Sequence, residues 1–340
     1  MQSLDHYWYS RNAVSLLFLP LSWLFRLLAL LRRQAYLSGL CRRHKLPVPV
    51  IIVGNICVGG TGKTPLTIWL VNCLQQAGFN PGVVSRGYRG KAHHWPQQVR
   101  ADSDPVMVGD EAVLLAQRCR CPVAVDPHRA VAAEALLKYN GCDIIVADDG
   151  LQHYALARDI EIAVIDGIRH FGNGRCLPAG PLREPVSRLQ EVDFIVVNGG
   201  VTLDREYRMN LRTVKIYRVN DPQQIAALET LQGGPVHAVA AIGNPQRFFE
   251  QLQGMGFDII RHAFPDHHEF TGTELDFPDD HPVIMTEKDA VKCQRFAGDR
   301  CWTLAVEADV DPRLATQLLA RLEKLTANRI QNKSRNDNGQ

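Results

Sequence analysis

The sequence lacks any large excess of charge of one sign. Its 340 residues carry 38 Lys and Arg against 36 Asp and Glu, a formal net charge of +2. Proteins that bind nucleic acid usually present a strong positive field, so the composition does not support a nucleic-acid partner.

Cysteine motifs are also absent. The nine cysteines include no Cys-x-x-Cys pair, and the closest two are Cys119 and Cys121. The common zinc and redox motifs are therefore not expected. An odd number of cysteines without metal-ligand spacing is typical of reduced thiols in a cytosolic compartment.

Acidic residues are almost missing from the first 45 residues, in which Asp5 is the single acid. The basic residues of this region are Arg11, Arg26, Arg32, Arg33, Arg42, Arg43 and Lys45. Asn12 to Leu31 is strongly apolar and contains Pro20, which would kink a helix in its middle. No small-residue cleavage site is evident, so a signal peptide is not expected.

Three interpretations of this segment remain open. A helix could lie in the membrane interface, with its basic side chains on anionic headgroups. It could cross the bilayer once, since about 20 apolar residues just suffice, and leave the rest of the protein in the cytoplasm. It could also be an amphipathic helix that packs on the folded domain. We interpret residues 1–46 as a membrane-associated helical segment.

A glycine-rich stretch follows an apolar, β-branched run that ends at Val53. The run predicts a buried parallel strand, and the residues after the glycines have a helical pattern with proline in the first turn. Strand, glycine-rich loop, Lys-Thr and helix form the layout of a phosphate-binding loop. The residues predicted to bind the nucleotide are Gly59, Gly60, Thr61, Gly62, Lys63, Thr64 and Pro65.

Each part of this loop has a physical task. Glycines allow backbone N–H groups to turn towards an anion, and the helix N-terminus adds its positive dipole end. Lys63 would reach the β- and γ-phosphates, and the Thr64 hydroxyl would hold Mg²⁺. The strict pattern requires a glycine where this sequence has Cys57, so the loop is the Gly-Gly-x-Gly-Lys-Thr variant.

Strands and helices alternate from residue 47 onwards. The predicted strands are 48–53, 82–85, 122–125, 143–147, 160–165 and 193–197, and the clearest helices are 65–77, 110–118 and 128–139. This alternation predicts an α/β fold, a P-loop NTPase-like parallel sheet with helices on both faces. We place the kinase-type domain at 47–200. Ligands bind at the carboxyl ends of such strands, so the loops that follow strands are the candidate sites.

Two carboxylates, Asp148 and Asp149, end one of these apolar strands. In a phosphate-loop enzyme, an acid at the tip of a neighbouring strand holds Mg²⁺ directly or through water. Either aspartate fits this role. Gln152 and His153, which follow, could reach the nucleotide or the attacking group. A turn stabilised by an aspartate side chain, without a ligand, is the structural alternative.

Charged residues occur in further loops. Arg86 could bind phosphate or be solvated. Asp110, at a helix start, is either an N-cap or a catalytic residue. Arg175 and Arg183, in the Gly/Pro-rich stretch 171–184, could bind an anionic substrate or be solvated.

A smaller second α/β domain is expected over residues 201–326. Its polar loop holds His267 and His268, which would point in opposite directions in an extended chain, so a metal pair is not expected. One of them could act as a general base or orient a carboxylate. Lys288 follows another predicted strand and could bind phosphate or be solvated. The polar tail 327–340 has a composition typical of disorder.

Five of these motifs, in this order, resemble the tetraacyldisaccharide 4′-kinase family, the lipid A 4′-kinases of Gram-negative bacteria. They are Gly54–Pro65, Ser85–Tyr88, Gly109–Glu111, Asp148–His153 and Phe264–His268. The resemblance covers most of the chain. Cys57 stands where other members often have threonine, which affects no catalytic position.

The resemblance implies transfer of the γ-phosphate of ATP to the 4′-hydroxyl of a tetraacyl glucosamine disaccharide 1-phosphate, giving lipid IVA. It implies two α/β domains, with the N-terminal helix at the cytoplasmic face of the inner membrane. It also implies Asp110 as the general base, paired with His267, or with His268 as the alternative. ATP and Mg²⁺ are the implied cofactors, and no stable protein partner or nucleic acid is expected.

The implied chemistry gives roles to the remaining charged residues. Lys63, the loop amides and Mg²⁺ would neutralise charge on the transferring phosphoryl group. Thr64, Asp148 and Glu111 are candidates for holding the metal, and Asp149 for a second catalytic carboxylate near the γ-phosphate. An interfacial segment suits a lipid substrate because each buried methylene is worth about 0.8 kcal/mol.

Two other classes of protein compete with this interpretation. A membrane-associated P-loop ATPase of the partitioning or insertion type shares the Gly-Gly-x-Gly-Lys-Thr loop, usually with an additional lysine where this sequence has Cys57. A nucleotide-binding scaffold at the membrane would require neither Asp110 nor His267.

Overall fold

The N-terminal segment forms three helices rather than one long helix. The structure is a computed structural model that describes residues 5–10 and 12–337; residues 1–4, Arg11 of the basic group and 338–340 of the predicted tail lie outside the described residues. The helices are α1 Asp5–Trp8, α2 Ala13–Leu17 and α3 Leu19–Leu37. Pro20 lies in the first turn of α3, which tolerates proline, so the expected mid-helix kink is instead a break between α2 and α3.

One side of these helices is attached to the domain. Ser15 Oγ donates to the carbonyl of Ala179 and Ser22 Oγ to the carbonyl of Cys176, both at 2.7 Å. The opposite side exposes the apolar side chains of Leu16, Leu17, Leu21, Trp23, Leu24, Leu27, Leu28 and Leu31. Within the described ranges, 5–10 and 12–337, no helix has the length and apolarity that a membrane crossing requires.

A single mixed sheet runs through the molecule. Its strands are β1 Val50–Gly54, β2 Pro81–Ser85, β3 Gln97–Val99, β4 Val123–Val125, β5 Ile144–Ala147, β6 Ile160–Asp166, β7 Phe194–Asn198, β8 Glu206–Arg218, β9 Ile225–Ala226, β10 Val236–Ala240, β11 Ile259–Ala263, β12 Val283–Thr286 and β13 Cys301–Val310. Their order is β11-β10-β12-β13-β8-β7-β6-β1-β5-β2-β4-β3, with β9 paired to β8. Neighbours are parallel except in the pairs β3–β4, β8–β9 and β8–β13.

Helices cover both faces of this sheet. Those after the N-terminal segment are α4 Lys63–Gln76, α5 Pro105–Val108, α6 Asp110–Cys119, α7 Arg129–Asn140, α8 Leu228–Leu231, α9 Pro245–Gly254, α10 Glu287–Cys293 and α11 Pro312–Asp337. Ile51 and Val53 of β1 pack into one core cluster, and Val50 and Ile52 pack into another on the opposite face. Because both faces of β1 are buried, the strand is apolar throughout. The predicted parallel sheet with helices on both faces is confirmed.

The six strands and three helices predicted for the first half begin and end within two residues of the observed elements. The sequence pattern indicated no strand over β8, although β8 is 13 residues long. Tyr207, Met209 and Leu211 alternate with polar residues in the first half of β8. The apolar positions then shift by one residue at the bulge between Thr213 and Lys215, so the period of two is not continuous along the strand. β7 and β8 pair across the proposed domain boundary at residue 200, and the division into two domains stays a prediction.

The last helix returns from the second half to the first. Leu314, Leu318 and Leu322, which recur every four residues on α11, are buried in the core cluster of Ile51. The predicted disordered tail is wrong over 327–337, which continue α11. No proline or glycine interrupts this stretch. Arg329 Nη2 also donates to both carboxylate oxygens of Asp159, at 2.8 and 2.9 Å, and fixes the helix to the domain.

Candidate active site

The phosphate loop connects the carboxyl end of β1 to α4. Gly59 and Gly62 have φ of 97° and 94°, in the left-handed region that favours glycine. A Cβ at Gly62 would also lie 2.4 Å from Asn198 Nδ2. Asn198 Nδ2 donates to the carbonyl of Thr61 at 3.0 Å, and Asn55 Nδ2 donates to Thr61 Oγ1 at 3.2 Å. Both bonds hold the loop at Thr61.

The loop is also in contact with the second half of the chain. Arg169 donates through Nη2 to the carbonyl of Gly60 at 2.8 Å and through Nη1 to the carbonyl of Gly243 at 3.0 Å. Asp166 Oδ2 accepts from Arg169 Nε at 3.0 Å and so orients the guanidinium. A Cβ at Gly243 would lie 2.5 Å from Gly60 N, so the approach of the two loops requires glycine.

Lys63 and Asp149 face each other where α4 begins and β5 ends. Lys63 Nζ lies 3.6 Å from Asp149 Oδ1, and Arg183 Nη1 donates to both carboxylate oxygens of Asp149 at 3.1 and 3.0 Å. Burial would raise the pKa of Asp149, but Lys63 and Arg183 outweigh it and hold that pKa well below its usual range. Asp149 also has φ of 46°, and such backbone strain is common at functional sites.

Asp148 has the opposite environment. It is buried, and its Oδ1 accepts a hydrogen bond from Thr67 Oγ1 at 2.9 Å. Its Oδ2 is buried without a hydrogen-bond partner. Burial, reinforced by the negative charges of Glu111 and Asp149, raises the pKa of Asp148 to about 7.

The unpartnered oxygen of Asp148 fits a ligand of a divalent cation, because hard cations prefer carboxylate oxygens. Thr64, the second residue of α4, offers a hydroxyl beside the phosphate loop. In the described part of the chain, no group of three or more His, Cys, Asp or Glu could hold a metal by itself. Mg²⁺ at phosphate sites usually has one or two protein ligands and takes the others from phosphates and water, so the donors present fit this type.

Buried Asp110 and half-buried His267 form a pair. Asp110 is the first residue of α6, whose N-cap is Gly109, so the alternative that Asp110 is itself the N-cap does not hold. His267 Nδ1 lies 3.1 Å from Asp110 Oδ2. Burial opposes ionisation of Asp110, but the hydrogen bond from His267 and the charge of Lys288 lower its pKa to about 2.

Lys288 fixes the other nitrogen of this histidine. Its Nζ lies 3.2 Å from His267 Nε2, 3.1 Å from Glu111 Oε1 and 3.4 Å from Asp266 Oδ1. An ammonium group can only donate, so Nε2 accepts and Nδ1 carries the proton given to Asp110. Burial opposes the charge on Lys288, but Glu111, Asp110 and Asp266 raise the pKa of this ammonium. Glu111, a predicted metal ligand, is thus paired with lysine.

The two histidines of the loop point in different directions and have different contacts. His267 has φ of 59°, and its ring meets Tyr88 edge-on at 5.1 Å between centroids. His268 turns away, with Nε2 3.0 Å from Glu274 Oε1 and its ring stacked on Phe264 at 4.8 Å. The structure therefore brings His267, and not His268, to Asp110. A cavity of about 80 Å³, lined in part by Tyr88 and Asp110, opens in front of the pair.

Other residues predicted to bind substrate have structural partners. Gln152 Nε2 donates to the carbonyl of Asn55 at 3.0 Å and to Glu184 Oε2 at 2.8 Å. His153 has a buried, unpartnered Nε2, and burial with the charges of nearby arginines lowers its pKa to about 3. Arg175 Nη1 donates to Ser15 Oγ at 2.9 Å and so attaches α2.

Arg86 is exposed and has no hydrogen bond or ion pair to the residues that the structure describes. We call Lys63, Asp148, Asp149 and Arg183 the phosphate-site residues. Of the arginines proposed from the sequence, only Arg183 is among them.

The sequence did not predict the residues that support the phosphate-site residues through hydrogen bonds. Arg129 is buried, and its Nη2 donates to the carbonyls of Asp148 and Asp149 at 3.3 and 2.8 Å. Glu184 accepts from Gln152 and from the Tyr154 hydroxyl. The only sequence signal for Glu184 is its position directly after Arg183, and Arg129 has no signal because it resembles any helical arginine.

Comparison with known proteins identifies relatives over nearly the whole chain. The model of the LpxK family, described as tetraacyldisaccharide-1-P 4′-kinase, matches residues 14–323. The tetraacyldisaccharide 4′-kinase of Methylobacillus flagellatus is 52% identical over 328 residues, 96% of this chain and 98% of that protein. That of Nitrosococcus oceani is 48% identical over 324 residues, 95% of each chain.

Among solved structures, a crystal structure described as the "apo" form of LpxK from Aquifex aeolicus in complex with ATP has the same fold. Its TM-score is 0.76 at 24% sequence identity, over 91% of this chain and 99% of that chain. At this identity the likeness supports the α/β architecture alone.

Proposed function

The chain belongs to the tetraacyldisaccharide-1-P 4′-kinase family, and we propose that it transfers the γ-phosphate of ATP to the 4′-hydroxyl of a tetraacyl glucosamine disaccharide 1-phosphate. The product is lipid IVA, a precursor of lipid A. One observation carries the proposal: a partly buried Asp–His pair lies on the same sheet edge as a phosphate loop with an adjacent carboxylate pair. A nucleotide-binding scaffold has no need for such a pair.

Asp110 is the group that accepts the proton of the sugar hydroxyl. Its lowered pKa, about 2, keeps it ionised at neutral pH, so it is always ready to accept. A weakly basic carboxylate suffices because phosphoryl transfer has a loose transition state, in which the attacking hydroxyl loses its proton late. His267 donates to Asp110 Oδ2 and leaves Oδ1 to face the acceptor; Oδ1 otherwise accepts from Glu111 N at 2.8 Å.

The phosphate-site residues stabilise the negative charge of the phosphoryl group that is transferred. Lys63 and the loop amides bind the β- and γ-phosphates, and Lys63 exchanges its contact with Asp149 for a phosphate oxygen when ATP enters. Arg183 continues to hold Asp149. Asp148 Oδ2 and the Thr64 hydroxyl would hold Mg²⁺, which would supply positive charge to neutralise the phosphates.

We propose that the N-terminal helices hold this site at a lipid surface. Their exposed leucines and tryptophan form an apolar face, while Ser15 and Ser22 fix the other face to the domain. A helix with these two faces lies in the interface of a membrane. We propose the cytoplasmic face of the inner membrane, where the acyl chains of the substrate can stay in the bilayer while its headgroup reaches Asp110.

The test is transfer of label from γ-³²P-ATP to purified tetraacyldisaccharide 1-phosphate in detergent micelles. We expect Asp110→Asn to lower turnover about 10²- to 10⁴-fold while ATP affinity stays within about twofold. The matched control is Asp102→Asn, because Asp102 is exposed and bonds only to Arg100 in its own loop. Near-normal turnover of Asp110→Asn would contradict the base assignment, and ATP hydrolysis without lipid labelling would contradict the function.

A further inference from the structure

A second cavity lies at the edge of the sheet opposite the phosphate loop. Its volume is about 260 Å³, and it opens between α3 and the amino ends of β6 and β7. An ordered water needs only about 10–15 Å³, so the cavity has room for a much larger group. Its lining includes Arg33, Leu37, Arg43, Arg158, Glu161 and Arg188.

Every carboxylate at this cavity already has an arginine partner. Glu161 accepts from Arg158 Nη1 at 2.9 Å and from Arg188 Nη2 at 2.6 Å. Glu191 pairs with Arg33. The remaining pairs, which involve α11, are Asp159 with Arg329 and Asp193 with Arg321. The negative charge of the lining is therefore already neutralised.

These arginines nevertheless keep N–H groups without an acceptor among the described residues. Arg188 is 3% exposed, and its Nη1 is buried without a hydrogen-bond partner; Arg33 Nε is also buried without a partner. Arg43 lines the cavity and makes no hydrogen bond or ion pair within residues 5–10 and 12–337. Burial, with Arg43 among the nearby positive charges, lowers the pKa of Arg158. A buried guanidinium N–H without an acceptor costs free energy, so the cavity favours an anion with several acceptor oxygens.

The end of α3 brings an apolar side chain to the cavity. Leu37, the last residue of α3, lines the cavity and is 47% exposed, and Leu40, three residues further on, is 83% exposed. Leu30, which lies three residues before Arg33 on the same helix, is also exposed. Arginines in the lining, together with Leu37 and the exposed leucines near it in sequence, match an amphiphile whose phosphate is attached to acyl chains, rather than a free phosphate.

This cavity is separate from the proposed kinase site. Lys63 and Asp149 follow the carboxyl ends of β1 and β5, whereas Asp159 and Asp193 directly precede β6 and β7. The seven residues of β6 span about 20 Å, at about 3.3 Å per residue. The two sites therefore lie at opposite ends of the parallel strands.

We propose that the cavity between α3 and the amino ends of β6 and β7 binds the anionic phosphate headgroup of a membrane phospholipid. The phosphate oxygens accept from Arg188 Nη1, Arg33 Nε and Arg43, and the acyl chains lie along Leu37 and Leu40. Such a site gives the interfacial helix a specific headgroup contact in addition to its apolar face. It does not depend on the kinase assignment.

The test is calorimetric titration of the full-length protein with dihexanoyl phosphatidylglycerol, dihexanoyl phosphatidylcholine and inorganic phosphate. We expect the anionic lipid to bind most tightly and Arg43→Glu to weaken this binding about 10-fold or more, as expected for a lost charge-assisted contact. Arg42→Glu is the matched control, because Arg42 is equally exposed and adjacent but does not line the cavity. It should change the affinity by less than about twofold.

Three results would overturn the proposal. Equal losses in the two variants would mean diffuse attraction between a basic surface and an anionic lipid. Equally tight binding of inorganic phosphate, with the same dependence on Arg43, would make free phosphate the ligand. No lipid binding would leave the cavity without this role. Circular dichroism confirms folding of both variants, and lipid phosphorylation in micelles should stay unchanged in Arg43→Glu, which separates this proposal from the kinase function.

Discussion

The two parts of the candidate site differ in how the chain assembles them. The phosphate-site residues come from the first half, where the glycine-rich loop follows β1 and the two aspartates follow the adjacent strand β5. The Asp110–His267 pair joins residues that are 157 positions apart in the sequence, one from each half. We infer that the first part is assembled within the first half of the chain, whereas the second exists only when both halves are correctly placed.

The largest effect on turnover should come from a change in the phosphate-site residues. Lys63→Ala removes the one ammonium beside the loop amides and leaves Asp149 with Arg183 alone, so we expect lipid phosphorylation to fall about 10²- to 10³-fold. The measurement is the initial rate of label transfer. Lys138→Ala on α7 is the control, because Lys138 is exposed and lies only over the Tyr139 ring. Comparable losses in the two variants would mean that Lys63 has no special role.

A smaller effect should separate the two histidines. His267→Ala removes the hydrogen bond to Asp110 Oδ2, so we expect turnover to fall about 10- to 100-fold, the equivalent of one charge-assisted bond. His268→Ala should stay within about threefold, because His268 contacts Glu274 instead. If His268→Ala were the more damaging variant, the pairing of the second half with Asp110 would be wrongly assigned.

The third comparison concerns stability rather than turnover, and it contrasts the adjacent residues Asp148 and Asp149. The stability that protonated Asp148 contributes is fully present below its unfolded pKa near 3.8 and is lost as pH rises through about 7. For Asp149 the sign is reversed, because its folded pKa is lowered: its contribution is present above the unfolded pKa and is lost as pH falls.

Ionisation of Asp148 should therefore lower the unfolding free energy of the wild type by about 3–4 kcal/mol between pH 4 and 8. Asp148→Asn should not show this decrease. Urea unfolding of the wild type and the variant, in buffer with a metal chelator, measures the difference at each pH. A difference that does not depend on pH would show that Asp148 ionises as readily as an exposed carboxylate. Asp143→Asn, which removes the carboxylate that accepts from Asn80 N at an exposed loop, is the control.

The sequence predicted the first half of the molecule better than the second. Apolar β-branched runs and glycine-rich turns are strong local signals, so β1, β5 and the phosphate loop were located from them. The alternation in β8 is short, because its apolar positions shift by one residue at the bulge between Thr213 and Lys215, and it was missed. The contact between Asp110 and His267 was expected from family resemblance rather than from spacing, and the choice of His267 over His268 needed the backbone conformation of the loop.

Partners of charged residues were the least predictable feature. Arg175 and Arg183 lie in one loop and looked equivalent, yet Arg183 bonds to Asp149 and Arg175 to Ser15. Which of them reaches the site depends on where α2 docks, and this is a tertiary contact. Lys288 likewise looks like an ordinary lysine in the sequence, and only the fold shows that its Nζ contacts His267 Nε2.

The position of α11 has a consequence for biosynthesis. Its leucines fill the core that lies over β1, although the ribosome synthesises this helix some 250 residues after that strand. The first half thus leaves the ribosome with an open apolar groove above its central strands. Until the last segment of the polypeptide closes it, this groove is exposed apolar surface of the kind that chaperones bind during translation.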